Sequence, residues 1–156
     1  MKWEDKDYAE KTLKKLLIGS QLDGIKFGVD SEALFAYFMH YSNREPDLLW
    51  LNIEVRKIVL LDRLENIDLF AGSRLPEIDE DAAIKLLLEN RREKVIDVQL
   101  GNVSPHLFIT LESGKVLCVN WEDEDYECWQ VGDGLGYTGR EWLIIAVPGN
   151  EISFFL

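Results

Sequence analysis

From Lys94 to Leu156 the chain is a succession of short apolar runs broken by turn residues, and this pattern limits the fold more than any other feature. The runs are Val95–Leu100, Leu107–Glu112, Lys115–Trp121, Tyr126–Val131, Glu141–Val147 and Glu151–Leu156. Their length, and their content of β-branched and aromatic residues, are those of β-strands. Ser113-Gly114 and Pro148-Gly149-Asn150 have tight-turn chemistry. The segment reads as a β-meander with four consecutive carboxylates, Glu122-Asp123-Glu124-Asp125, at one of its turns.

A hairpin turning on Glu122–Asp125 places Trp121 opposite Tyr126, Val119 opposite Cys128 and Cys118 opposite Trp129. Successive strand residues face opposite sides, so this register puts Trp129 on the face of Val116, Cys118 and Val131, as a core residue. Trp121 and Tyr126 share the other face. Cys118 and Cys128 then point apart and stay unbridged. Two cysteines make neither a disulfide framework nor a zinc site.

Two segments have helical periodicity. Ala9, Leu13, Leu16 and Leu17 share one face of a helix over Tyr8–Leu17, with Lys11, Lys14 and Lys15 late in it and Gly19 as terminator. The second starts at Asp79, Glu80 and Asp81 and ends at Arg91, Arg92 and Lys94, an order that complements the helix dipole at both ends. Its expected buried stripe is Ala83, Ile84, Leu87 and Leu88. Strands are expected at Leu22–Val29, Ala33–His40, Leu48–Val55 and Lys57–Leu61. Sliding the chain by 73 residues lays Ala9 on Ala82, Leu13 on Leu86, Ile25 on Val98, Phe27 on Leu100, Gly28 on Gly101, Ser31 on Ser104 and Leu34-Phe35 on Leu107-Phe108. The expectation is a single α+β domain over residues 1–156, with antiparallel sheet and two helices. A pseudo-repeat of helix–meander units would cover 8–61 and 79–131.

Charge narrows the function. With 29 acidic and 17 basic residues the formal net charge is −12, and a field of that sign repels nucleic-acid phosphates and anionic lipid while favouring a basic partner. No apolar run approaches the length of a membrane span. The N-terminus carries no apolar signal-peptide core, so the expected compartment is the cytoplasm, with both thiols reduced.

No familiar chemistry emerges. Gly134-Leu135-Gly136-Tyr137-Thr138-Gly139 matches G-x-G-x-x-G, but strand-like sequence follows where a dinucleotide site needs a helix N-terminus, and Asp133 repels an anion. Glu122–Asp125 lacks the spacing, central glycine and distal Glu of a calcium loop. His40 and His106 stand outside metal-binding spacings, and Ser113 lies in a hairpin turn, not a nucleophile elbow. A Cys128–His106 pair is conceivable in space, but Glu127 beside Cys128 does not favour a thiolate. Arg91, Arg92 and Lys94 suit either a phosphate site or the helix end, and the helix end explains them without a ligand. The expectation is a non-catalytic protein with no cofactor, no metal and no catalytic residues.

The second half resembles an uncharacterised family of small bacterial domains. The matching residues are Leu107–Leu111, Gly114, Leu117, Tyr126-Glu127-Cys128-Trp129, Leu143–Val147, Pro148-Gly149 and Ile152. The chain departs from that pattern by a longer aromatic insertion at Val131–Arg140. The family carries no established activity. Small, acidic, motif-poor proteins of this kind also look like the immunity proteins of toxin–immunity pairs, which cover a toxin, often a basic nuclease. By that analogy the chain binds a basic toxin domain through Trp121, Glu122, Asp123, Glu124, Asp125 and Tyr126, since aromatic anchors beside charges suit an interface. The competing readings are a small hydrolase or other enzyme with its site in the 131–140 loop, and a structural homo-oligomer such as a homodimer.

Overall fold

In the computed structural model, Trp3–Leu17 forms helix α1 and Glu80–Glu89 forms helix α2. The structure describes residues 3–27, 33–42, 48–54, 58–61, 78–120, 129–133, 143–147 and 151–155. Acidic first turns, Glu4 and Asp5 in α1 and Glu80 and Asp81 in α2, suit the positive helix N-termini. Asp79 caps α2 by accepting the Ala82 N–H at 2.8 Å. Helix α1 starts five residues earlier than its apolar periodicity suggests, through a polar first turn that includes Glu4 and Asp5.

Among the described residues, ten strands follow the expected order: β1 (Gln21–Phe27), β2 (Ala33–Met39), β3 (Leu48–Glu54), β4 (Ile58–Leu61), β5 (Val95–Leu100), β6 (Leu107–Leu111), β7 (Val116–Val119), β8 (Trp129–Asp133), β9 (Leu143–Val147) and β10 (Glu151–Phe155). They make two antiparallel sheets, ordered β1-β2-β3-β8-β9-β10 and β4-β7-β6-β5. The architecture is α+β.

The strand exchange between the sheets overturns one expectation. β7 pairs with β4 and β6, whereas β8 pairs with β3 and β9. Cys118 therefore lies opposite Val59 and Phe108, not Trp129, and Trp129 lies opposite Ile53 and Ala146. The chain between β7 and β8 passes from one sheet to the other, so Glu122–Asp125 is not the turn of a β7–β8 hairpin. Alternation along a strand reports which face a side chain takes; it does not report which sheet the strand joins. Trp129 is still a core residue, fully buried, and its indole N–H donates to the Pro105 carbonyl at 2.8 Å, tying β8 to the turn between β5 and β6.

The two units share one plan. α1 leads into the β1-β2-β3 meander and then sends β4 to the other sheet; α2 leads into β5-β6-β7 and then sends β8 back. Their ladders coincide at an offset of 73 residues. Leu22↔Phe38 corresponds to Val95↔Leu111, Gly24↔Tyr37 to Asp97↔Thr110, and Phe27↔Leu34 to Leu100↔Leu107, with the bulge at the same step. The contact between units is reciprocal. Leu22 N–H donates to Glu93 O and Val95 N–H to Ser20 O; Gly19 N–H donates to Val95 O and Arg92 N–H to Leu22 O. Gln21 bridges Lys94, its own counterpart. Each unit thus presents the same patch to the other, the signature of a two-fold relation. Gly28 and Ser31 lie outside the described residues.

One apolar cluster joins Ala9, Leu13 and Leu17 of α1, Ala83 and Leu87 of α2, and the facing residues of both sheets. Within α2 the stripe differs from expectation. Ile84 is half-buried and Leu88 is 49% exposed, while Asn90 is buried, donating Nδ2–H to Leu86 O at 2.7 Å. The buried helix positions correspond as Ala9 with Ala83 and Leu13 with Leu87, one residue off the strand offset. Along the edge of β5, α1 supplies Glu10, whose Oε2 accepts the Leu100 N–H at 2.9 Å and the Lys6 ammonium at 3.3 Å. That carboxylate occupies the Leu100 end of the β5 edge, whose Val95 end is held by Gly19 and Ser20.

Candidate functional site

Trp121, Glu122, Asp123, Glu124, Asp125 and Tyr126, the contact residues expected from sequence, lie outside the described residues. Their flanks are described. Asn120 is buried at the end of β7 in one sheet, and Trp129 is buried at the start of β8 in the other. Of the expected 131–140 loop, Val131–Asp133 is strand, paired with β3 and, through Val131 and Gly132, with β9; the remainder lies outside the described residues. Gly132 lies under Trp50, whose indole N–H donates to the Asp133 carbonyl at 2.9 Å.

Cys118 and His106 are both core residues. The Cys118 thiol is fully buried, and desolvation pushes its pKa up to about 12, so it stays protonated at neutral pH. His106 is also fully buried, in the turn where its N–H donates to Ser104 O and its carbonyl accepts the Gly101 N–H. Cys128, its conceivable partner, lies outside the described residues. Among the described residues no three His, Cys, Asp or Glu side chains gather as a metal site.

A different place emerges beyond the end of α2. Glu89, Arg91, Arg92, Glu93, Glu112 and Ser113 line an open depression of about 320 Å³. Three segments build it: the end of α2, the chain entering β5, and the β6–β7 turn. Arg91 donates Nη1–H to Leu88 O at 2.7 Å, which satisfies a helix-end carbonyl and accords with the helix-end reading of this basic cluster. Arg92 has a left-handed backbone, φ 67°, where its counterpart is Gly19, φ 91°. Glu112 holds the strand entry: its N–H donates to Lys94 O at 2.9 Å, and Oε1 sits 3.4 Å from the Lys94 N–H. Glu93 Oε2 is buried and finds no hydrogen-bond donor among the described residues.

At the offset of 73 the six lining residues correspond to Leu16, Ile18, Gly19, Ser20, Met39 and His40. In the first unit this place is filled. His40 is 4% exposed and its Nε2 lies 2.6 Å from Leu16 O. A carbonyl only accepts, so Nε2 carries the proton. In the second unit Ser113 stands where His40 would be, and its short hydroxyl accepts the Lys115 N–H at 3.4 Å. Beside the depression, the exposed Tyr41 hydroxyl donates to Asp23. That hydrogen bond raises the phenol pKa most, followed by desolvation and the charge of Asp23, with Arg92 pulling the other way.

Protein-family models, curated proteins and solved structures offer no match to this chain. The site therefore rests on its own geometry. Two pairings in the sequence point to it, Gly19 with Arg92 and His40 with Ser113. Among the described residues no helix is long and apolar enough to cross a membrane.

Proposed function

We propose that this protein is a non-catalytic binder that covers a basic partner protein, as the immunity protein of a toxin–immunity pair does in the cytoplasm. The observation that carries the reading is the net charge of −12. A field of that size steers a cationic protein inward and discourages nucleic acid. Trp121 and Tyr126 bracket the four carboxylates of Glu122–Asp125, in a stretch that leads from one sheet to the other. Aromatic anchors beside such charge would supply the lasting contact.

The test screens the products of neighbouring reading frames for a basic protein that binds this chain, with association and dissociation rates then measured separately. Charge at an interface rim mainly speeds association, and a buried anchor mainly slows dissociation. Replacing Glu122, Asp123, Glu124 and Asp125 with Gln or Asn is expected to lower the on-rate and flatten its salt dependence. Trp121→Ala is expected to raise the off-rate by the equivalent of about 2 kcal/mol. Unchanged rates in both variants would move the interface away from residues 121–126.

A further inference from the structure

We propose that the outer edge of β1, from Gly24 to Phe27, receives an extended cationic segment of the basic partner as an added strand. The inference rests on the binder reading above and adds the surface and the form of one contact.

The second unit shows how this chain closes such an edge. α1 packs along β5. Glu10 Oε2 accepts the Leu100 N–H at 2.9 Å, Lys14 Nζ lies 3.5 Å from Asp97 Oδ1, and Leu100 is fully buried. In the first unit each part of that closure is missing. At the offset of the ladders Leu100 becomes Phe27 and Asp97 becomes Gly24. At the offset of the buried helix positions Glu10 becomes Ile84 and Lys14 becomes Leu88, which bring neither acceptor nor charge. α2 does not pack along β1 as α1 does along β5. Phe27 is 64% exposed where Leu100 is buried, and Leu88 is exposed as well.

The backbone of that edge is open. N–H groups alternate in direction along a strand, and the Leu100 N–H points to Glu10, away from β6. In the matching ladder Phe27 and, two residues back, Ile25 point theirs away from β2. Among the described residues neither meets an acceptor. Donors in that state are a template for a further strand, whose main-chain bonds supply affinity. Exposed Phe27 adds an aromatic contact. Charge decides the occupant. The exposed charges of β1 and α2 are Asp23, Glu80, Asp81 and Glu89 against Lys26 and Lys85. Arg91 and Arg92 follow α2 at the far end of the edge, where the Arg92 N–H meets Leu22 O. The surroundings of the open stretch thus share the sign of the whole chain. They favour a cationic segment over a second copy of this chain, which brings its own −12.

The experiment is an amide NMR titration of the whole protein with a capped peptide of alternating lysine and valine. Its glutamate–valine analogue, and a lysine–valine peptide N-methylated along one edge, serve as the other arms. The expected result is saturable shifts and slowed amide exchange at Ile25 and Phe27 with the unmethylated lysine peptide alone. Phe27→Pro removes one outward N–H at a place where an edge strand tolerates proline. It should weaken binding about tenfold, the ratio for one hydrogen bond lost. Phe27→Leu keeps the N–H and should bind as the wild type does. Equal binding of the glutamate or methylated peptide, indifference to Phe27→Pro, or no binding at all would overturn the proposal. A dimer of the free protein with its Phe27 amide protected would overturn it too, by making a second copy the occupant. The two readings also separate. A basic partner whose affinity ignores Phe27→Pro would overturn this edge and leave the binder. Lysine-peptide binding at the edge, with no basic protein found to bind the chain, would keep the edge's chemistry and sink the partner.

Discussion

Gly19 and Arg92 hold matching positions just past α1 and α2, both left-handed, and each donates its N–H to the other unit's first strand, Gly19 to Val95 O and Arg92 to Leu22 O. Glycine adopts this conformation freely, whereas a side-chain-bearing residue is strained there by about 1–2 kcal/mol. Arg92→Gly relieves that strain and gives back about 0.5–1 kcal/mol in chain entropy. It is therefore expected to raise the unfolding free energy by up to about 1 kcal/mol. Gly19→Arg should lower it by about 1–2 kcal/mol. Denaturant titration of both variants reads the signs, and equal signs would refute the equivalence.

Gly132 leaves room for the Trp50 indole to lie against the β8 backbone. A Cβ there would fall 2.5 Å from Trp50 Cζ2 and 2.8 Å from Cε2. Because Trp50 is buried and anchored to Asp133 O, its ring cannot swing aside cheaply. Gly132→Ala is expected to cost about 1–3 kcal/mol by overpacking. Thermal unfolding measures the loss, and near-ultraviolet circular dichroism reports the displaced indole.

Cys118 should be silent in the native protein and audible at high pH. Its ordinary pKa of 9.0 rises to about 12 on folding. Between those values the unfolded chain has lost the proton and the folded chain has kept it. The native state then binds more protons, so stability falls as pH rises through the window. For one group the slope approaches about 1.4 kcal/mol per pH unit. Unfolding free energies of the wild type and Cys118→Ala across pH 8–11 isolate it. Equal slopes would mean that the thiol is not held protonated. A thiol reagent at pH 8 should find Cys118 only after unfolding.

Trp129 links β8 to the turn between β5 and β6 through its indole N–H. Trp129→Phe keeps most of the buried ring area and removes the N–H that satisfies Pro105 O at 2.8 Å. A buried carbonyl left without a donor costs about 1–3 kcal/mol. Chemical denaturation should show that loss, with amide exchange quickened at Ser104–His106. A loss below about 0.5 kcal/mol would mean that solvent reaches Pro105 O.

Much of the fold was legible because local rules decide it. The apolar faces at Ala9 and Leu13, the acidic helix starts and the turn glycines mark both helices and most strands to within a few residues. Sheet membership was not legible. Cys118 and Trp129 have strand character and parity in plain view, but their ladders go to β4 and β6, and to β3 and β9. Leu88 and Asn90 show a second limit. Hydrophobicity assigns Leu88 to the core, whereas helix phase and the Asn90–Leu86 hydrogen bond reverse the two. The depression beyond α2 was hidden for a third reason. Its walls come from three segments, and only the offset comparison sets Ser113 beside His40. The carboxylates of Glu122–Asp125 were conspicuous in the sequence, but they lie outside the described residues.

The exchange of β4 and β8 also sets the order in which the chain can fold during synthesis. On the side away from β2, Leu49 and Ile53 of β3 pair with Asp133 and Trp129. Until those residues leave the ribosome, the nascent chain holds β3 with one side unpaired. Pairings this distant close slowly, because the intervening chain must first give up its freedom. An apolar strand edge waiting in that state recruits other strands. The unit that emerges first therefore depends on the one that follows, and a stalled or truncated chain should be aggregation-prone rather than half-folded.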